Sequence, residues 1–120
     1  MRFKNIFKSF AFASAGISSA FRSQFNMRFH VFTALAVIIA SSYFRIAPLE
    51  WCIVLFCIGS VISAELINTS IEMNVDLAMP EQNQKAGMAK DIAAAAVLIA
   101  ASVSAIIGCI IFVPRIISLF

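Results

Sequence analysis

WCIVLFCIGSVISAELINTSIEMNVD, residues 51–76, is the stretch that decides how this chain folds. From Trp51 to Ala64 it is apolar and uncharged, but a helix needs about 20 apolar residues to cross a bilayer. To span, it must run on through Glu65 to Leu66, Ile67 and Ile71, which carries an acid to membrane depth. That forced inclusion of Glu65 is the most informative feature of the sequence.

The rest of the chain fits the same reading. Val31 to Phe44 is a second apolar run, long enough to span if His30 lies at one interface and Tyr43, Phe44 and Arg45 at the other. Ile92 to Val113 is a third, and it reaches spanning length unaided. Of the 120 residues, 62% are hydrophobic and only 12% charged, against roughly 45–50% apolar and about 25% charged in soluble domains. The expected fold is therefore an all-α membrane protein, a single domain over 1–120. An interfacial amphipathic helix at about 3–23 precedes transmembrane helices at about 29–47, 50–75 and 86–114.

The first of these helices rests on Phe3, Phe7, Phe10, Ala11, Ser14, Ile17, Ser18 and Phe21, which recur at helical spacing with Lys4, Lys8 and Arg22 largely off the stripe. Arg2, Lys4 and Lys8 ahead of Phe10 to Ala15 also resemble a secretory leader, but the apolar stretch is short and rich in small residues. We read it as part of the mature protein. So small a chain has little room for both a spanning bundle and an enclosed ligand cavity, which makes oligomerisation the expected remedy.

The net charge of +3 does not imply nucleic acid, because the basic residues form no aromatic-interleaved cluster. Membrane orientation accounts for them. With Arg2, Lys4, Lys8, Arg22 and Arg28 before the first span, the N-terminus is expected in the cytoplasm, together with the 76–91 segment that carries Lys85 and Lys90. Only Arg45 and Arg115 are left outside. Cys52, Cys57 and Cys109 lie within apolar runs, match no metal spacing and read as inert buried thiols.

Taken as helix, residues 65–76 place Glu65, Asn68, Glu72 and Asp76 within an arc of about 80° and over about 16 Å of rise. A helix that merely ended in water would need one polar turn. This stripe runs for three, while Leu66, Ile67, Ile71 and Val75 stay apolar. An ionised acid near the bilayer centre costs about 2.5–3.5 kcal/mol on insertion scales, so such residues usually mark function. Glu65 and Glu72 lie about 10 Å apart along the helix, too far to hold one ion together. The shallower Glu72 suits magnesium, which takes one or two carboxylates plus substrate phosphates. The deeper Glu65, stripped of water, suits a general base for a hydroxyl presented from the lipid side.

Neither of the familiar glycine-rich phosphate loops is present, so a nucleotide site would have to be built otherwise. Lys90 and Asp91, just before the third span, offer a phosphate-directed cation and a further acid. The same residues also fit a non-enzymatic reading, a small membrane transporter with Glu65 as proton site or a scaffold subunit.

At this point the residues carry a resemblance. Glu65-Leu-Ile-Asn68-Thr-Ser-Ile-Glu72-x-x-Val-Asp76, followed by Ala89-Lys90-Asp91-Ile-Ala-Ala-Ala-Ala-Val-Leu, resembles the prokaryotic diacylglycerol kinase and undecaprenol kinase family. The likeness extends to Gly16 and to the stretch Phe25-Asn26-Met27-Arg28-Phe29-His30. It implies a homotrimer with active sites between subunits in the bacterial inner membrane, phosphorylating undecaprenol or diacylglycerol with ATP and Mg2+. It further implies that Glu65 is the catalytic base, that Glu72 binds magnesium, and that Asn68 supports the phosphates or the base. Lys90 and Asp91 would contact ATP, with Gly87 near the nucleotide and Gln82, Asn83 and Gln84 bordering it. One departure stands out. The family usually places a second magnesium-binding glutamate just before the first span, and the aligned residue here is Gln24, whose amide brings no charge. Gln24 is therefore expected to line the site, with magnesium bound more weakly. The Asn26 to His30 pattern and short N-terminus look more like the undecaprenol kinase branch, with diacylglycerol still open. His30, the lone histidine, is expected to be an interfacial hydrogen-bonder.

Overall fold

A computed structural model describes residues 5–120 as four helices: α1 (Ile6–Ser23), α2 (Phe25–Phe44), α3 (Pro48–Ala78) and α4 (Gln84–Ile117). No strand occurs among the described residues. Phe3 and Lys4, which belong to the expected first helix, and Arg2 ahead of them lie outside the described residues. The last three helices are long and apolar enough to cross a membrane, as the apolar runs predict.

The sequence explains where each helix stops. Asn5 caps α1, its Oδ1 accepting the Lys8 N–H at 2.9 Å. α1 and α2 are separated by Gln24 alone, in extended conformation (φ −118°, ψ 119°). The Arg28 guanidinium reaches back across this elbow and donates to the Phe21 and Arg22 carbonyls at 2.9 Å each. A cation thus satisfies the free carbonyls at the C-terminus of α1 and fixes the elbow. The helix resumes at once, so α2 begins at Phe25, ahead of the span expected from about residue 29.

α2 also ends sooner than the expected residue 47. Arg45 adopts the left-handed conformation (φ 51°), its N–H bonds Ser42 O, and the Ile46 N–H bonds Ser41 O. This is a Schellman stop made without glycine. Ile46 is pulled into the core, where it packs with Val54 and Ile111 beneath Phe44, Trp51 and Phe112. Pro48 then opens α3 at a position where its missing N–H is no loss, and the Glu50 carboxylate accepts the Ala47 N–H at 2.9 Å. Met79 and Pro80 end α3, and the Asn83 side chain caps α4 by accepting from Lys85 N and Ala86 N.

α3 and α4 pack along each other as an antiparallel hairpin, α2 packs on α3, and α1 folds back against both α2 and α3. The described chain exposes 8813 Å², whereas a compact soluble fold of 13.1 kDa would expose roughly 6400 Å². The excess is apolar: Phe7, Phe32, Ile39, Phe56, Leu98 and Ile110 all stand more than half exposed. Such faces belong against lipid or other helices.

Candidate functional site

α3 brings its polar stripe to the bundle interior, as the helical spacing requires. Glu65 is 1% exposed, Asn68 5% and Thr69 6%, while Glu72 is half-buried and Asp76 exposed. The Asn68 Nδ2 donates to Glu72 Oε1 at 3.2 Å, so the amide holds the shallower acid in place. Among the described residues, Glu65 Oε2, Asn68 Oδ1 and Thr69 Oγ1 are buried and find no hydrogen-bond partner in the chain. Leaving such an atom unpaired costs about 1–3 kcal/mol, so each of the three calls for a polar partner from beyond this chain's own side chains.

Beneath Glu65, towards the middle of the bundle, the helices part around an apolar cavity of 410 Å³. His30, Thr33 and Ala34 from α2, Val61 and Ile62 from α3 and Ser104 from α4 are among its walls. Its open, apolar character fits a hydrocarbon. His30 is common to the cavity and the acid: its Nε2 lies 4.0 Å from Glu65 Oε2. The expected interfacial hydrogen-bonder therefore sits against the buried carboxylate, and no hydrogen bond joins them.

At the other end of the stripe the Met79–Asn83 turn closes a polar pocket of 560 Å³. Gln82, Asn83, Gln84, Gly87 and Lys90 all line it, together with Asp76. Lys90 Nζ is ion-paired with Asp76 Oδ1, tying the start of α4 to the stripe. A Cβ on Gly87 would meet no other atom, so local packing does not require that glycine. Asp91 is exposed and does not line this pocket, being a further 100° or so round the helix from Lys90.

Gln24 occupies the elbow, half-buried. From the His30–Glu65 contact, six residues of α2 lead back to Gln24 and seven of α3 lead on to Glu72, rises of about 9 and 10 Å. The two residues therefore stand at matching heights along the bundle. Among the described residues no three His, Cys, Asp or Glu side chains converge as a ready-made metal cage. A carboxylate steadied by an amide is instead the kind of donor that takes magnesium together with phosphate oxygens.

Fold and site together define an all-α integral membrane protein whose central helix joins an apolar cavity to a polar pocket by a line of three carboxylates and an amide. Comparison with known proteins gives this class its family. The sequence model of prokaryotic diacylglycerol kinase matches residues 11–112. The undecaprenol kinase of Bacillus subtilis is 42% identical over 109 residues, 91% of this chain and 89% of its own. The diacylglycerol kinase of Synechocystis is 39% identical over 96% of this chain and 66% of its own length. That of Helicobacter pylori is 40% identical over 81% and 76%. The chain belongs to the prokaryotic diacylglycerol kinase family, and with that membership it is an enzyme, a lipid kinase.

Proposed function

We propose that this protein transfers the γ-phosphoryl group of ATP to the hydroxyl of a membrane lipid alcohol, undecaprenol or diacylglycerol, at the cytoplasmic face of the bacterial inner membrane. The observation that carries this reading is Glu65. It is buried, has an unpartnered oxygen, and stands between the apolar cavity and the run of polar side chains leading to the loop pocket.

Phosphoryl transfer asks little covalent work of a protein, and positioning with charge neutralisation dominates. The lipid's hydrocarbon occupies the cavity and its hydroxyl reaches Glu65, which takes the proton as the oxygen bonds to the γ-phosphorus and ADP leaves. Lys90, drawn from Asp76, offsets charge on the phosphates. Gln82, Asn83, Gln84 and Gly87 border the nucleotide, and Asn68 orients Glu72. Glu72, with Gln24 at the same height, would hold magnesium. The ion would supply neutralisation of phosphate charge.

The family likeness supports assembly as a homotrimer with shared sites, and Asp91, turned away from its own chain's pocket, is available to the nucleotide of a neighbouring copy. Arg22, Arg28, Lys85 and Lys90 support a cytoplasmic N-terminus and 76–91 segment. The test is direct. Purified protein in lipid nanodiscs, given labelled ATP and undecaprenol or dioleoylglycerol in turn, should label one of the lipids in a magnesium-dependent manner. Proton-coupled flux without ATP consumption would favour the transporter reading instead.

A further inference from the structure

His30 and Glu65 face each other across a gap of defined size. Their side chains are 14% and 2% exposed, and Nε2 and Oε2 are 4.0 Å apart. This is beyond the 2.7–3.2 Å or so of a direct N–H···O bond. A single oxygen atom about 2.8 Å from each would bridge them, with an angle near 90° at that oxygen. That is tighter than the roughly tetrahedral angle between the proton and a lone pair of a hydroxyl group, by an amount that bent hydrogen bonds take up. Oε2, the Glu65 atom on this gap, is one of the buried atoms that find no partner. His30 also walls the apolar cavity, one helical turn of α3 below Glu65 being marked by Val61 and Ile62 in the same wall. A molecule with its hydrocarbon in that cavity presents its polar end to this gap.

We propose that His30 is a second catalytic residue, holding the acceptor hydroxyl between its imidazole and the Glu65 carboxylate; this rests on the lipid kinase reading above. The neutral imidazole donates Nε2–H to one lone pair of the hydroxyl oxygen, and the hydroxyl donates its own hydrogen to Glu65 Oε2. A second lone pair is left for the γ-phosphorus. In the transfer, the O–H bond breaks and its proton passes to Glu65. The oxygen–phosphorus bond forms, and the bond from the γ-phosphorus to the bridging oxygen breaks, its electron pair leaving on ADP. His30 gains and loses nothing and fixes the direction of attack.

The experiment compares wild type, His30→Leu and His30→Gln in nanodiscs, with labelled ATP and undecaprenol or dioleoylglycerol. Gln can place an N–H near the position of Nε2, and Leu cannot. His30→Leu should lower kcat/KM for the lipid about tenfold, the order of one lost hydrogen bond, while KM for ATP stays at the wild-type value. His30→Gln should recover most of that loss. Wild-type lipid turnover in His30→Leu, or a His30→Gln variant as slow as His30→Leu, overturns the role of His30 and leaves the kinase reading standing. If wild type itself labels neither lipid, the kinase reading falls and this role falls with it.

Discussion

Arg115 closes the α3–α4 hairpin on Glu50: its Nη1 and Nη2 donate to the two carboxylate oxygens at 2.9 and 2.7 Å. Each partner is also tied to its own helix end. Glu50 accepts the Ala47 N–H at the start of α3, and Arg115 donates to the Ile111 carbonyl in the last turns of α4. A fork-to-fork pair of this kind fixes geometry as well as adding attraction. Asp76 and Lys90 join the same two helices at their other ends. Glu50 lies about 22 Å along α3 from Glu65, far from any chemistry.

Breaking the Glu50–Arg115 pair should therefore loosen the fold and leave the reaction alone. Arg115→Met and Glu50→Gln should each lower the thermal midpoint in detergent, and the double variant should lose less than the two losses added, as interacting partners do. Turnover below the melting range should stay within about twofold of wild type, since a remote contact made equally in the ground and transition states does not alter the barrier. Strictly additive midpoint shifts, read by fluorescence-detected melting, would show that the pair does not act as one unit.

Glu65→Gln keeps the shape of the side chain and removes its capacity to take a proton. Lipid phosphorylation should fall by about 10²–10⁴-fold, the usual contribution of a general base. ATP affinity should change little, because Glu65 lies about 16 Å along α3 from Asp76 at the loop pocket. Transfer of labelled phosphate and equilibrium nucleotide binding, measured on the same preparation, separate the two effects. A variant that turns over within tenfold of wild type has no need of Glu65 as base.

The acids on α3 were legible because length alone forced Glu65 into the membrane and a 100° step put Asn68, Glu72 and Asp76 beside it. The residues of the polar pocket were legible only through the resemblance, which set Gln82, Asn83 and Gln84 beside a nucleotide; that Asn83 caps α4 is seen in the structure. Other features depend on facts that no local pattern carries. The stop at Arg45 uses a left-handed residue that is not glycine, and its cause is the burial of Ile46 in a core assembled from α3 and α4. His30 meets Glu65 only through the register of α2 on α3, and Arg115 meets Glu50 from 65 residues away. Arg28 reads as one more inside-facing charge until the elbow brings two carbonyls to it.

Gln24 is where a single added charge should be felt. It stands at the height of Glu72, with an amide where relatives by resemblance carry a glutamate. Restoring the acid as Gln24→Glu should lower the magnesium concentration that gives half-maximal activity by several-fold, since affinity for a hard cation rises with ligand charge. Asn68→Ala, which frees Glu72 Oε1 from its hydrogen bond, should move the requirement the other way. Activity titrated against magnesium at fixed ATP reads both shifts. An unchanged requirement in Gln24→Glu argues that position 24 does not touch the ion.

Lys90 lines the loop pocket, and its present partner Asp76 stands in solvent reach. The two side chains are 38% and 62% exposed, and exposed ion pairs contribute little. A triphosphate brings more negative charge than one carboxylate, so Lys90 should leave Asp76 when nucleotide arrives. Two variants test this exchange. Lys90→Met should lower kcat/KM for ATP by about 10²-fold, in the range seen when one charge-stabilising donor is removed. Asp76→Asn should stay within about threefold of wild type, because it takes away only the competitor for the lysine. If Asp76→Asn instead loses as much as Lys90→Met, the pair itself is the working unit, and the lysine does not pass from acid to phosphate.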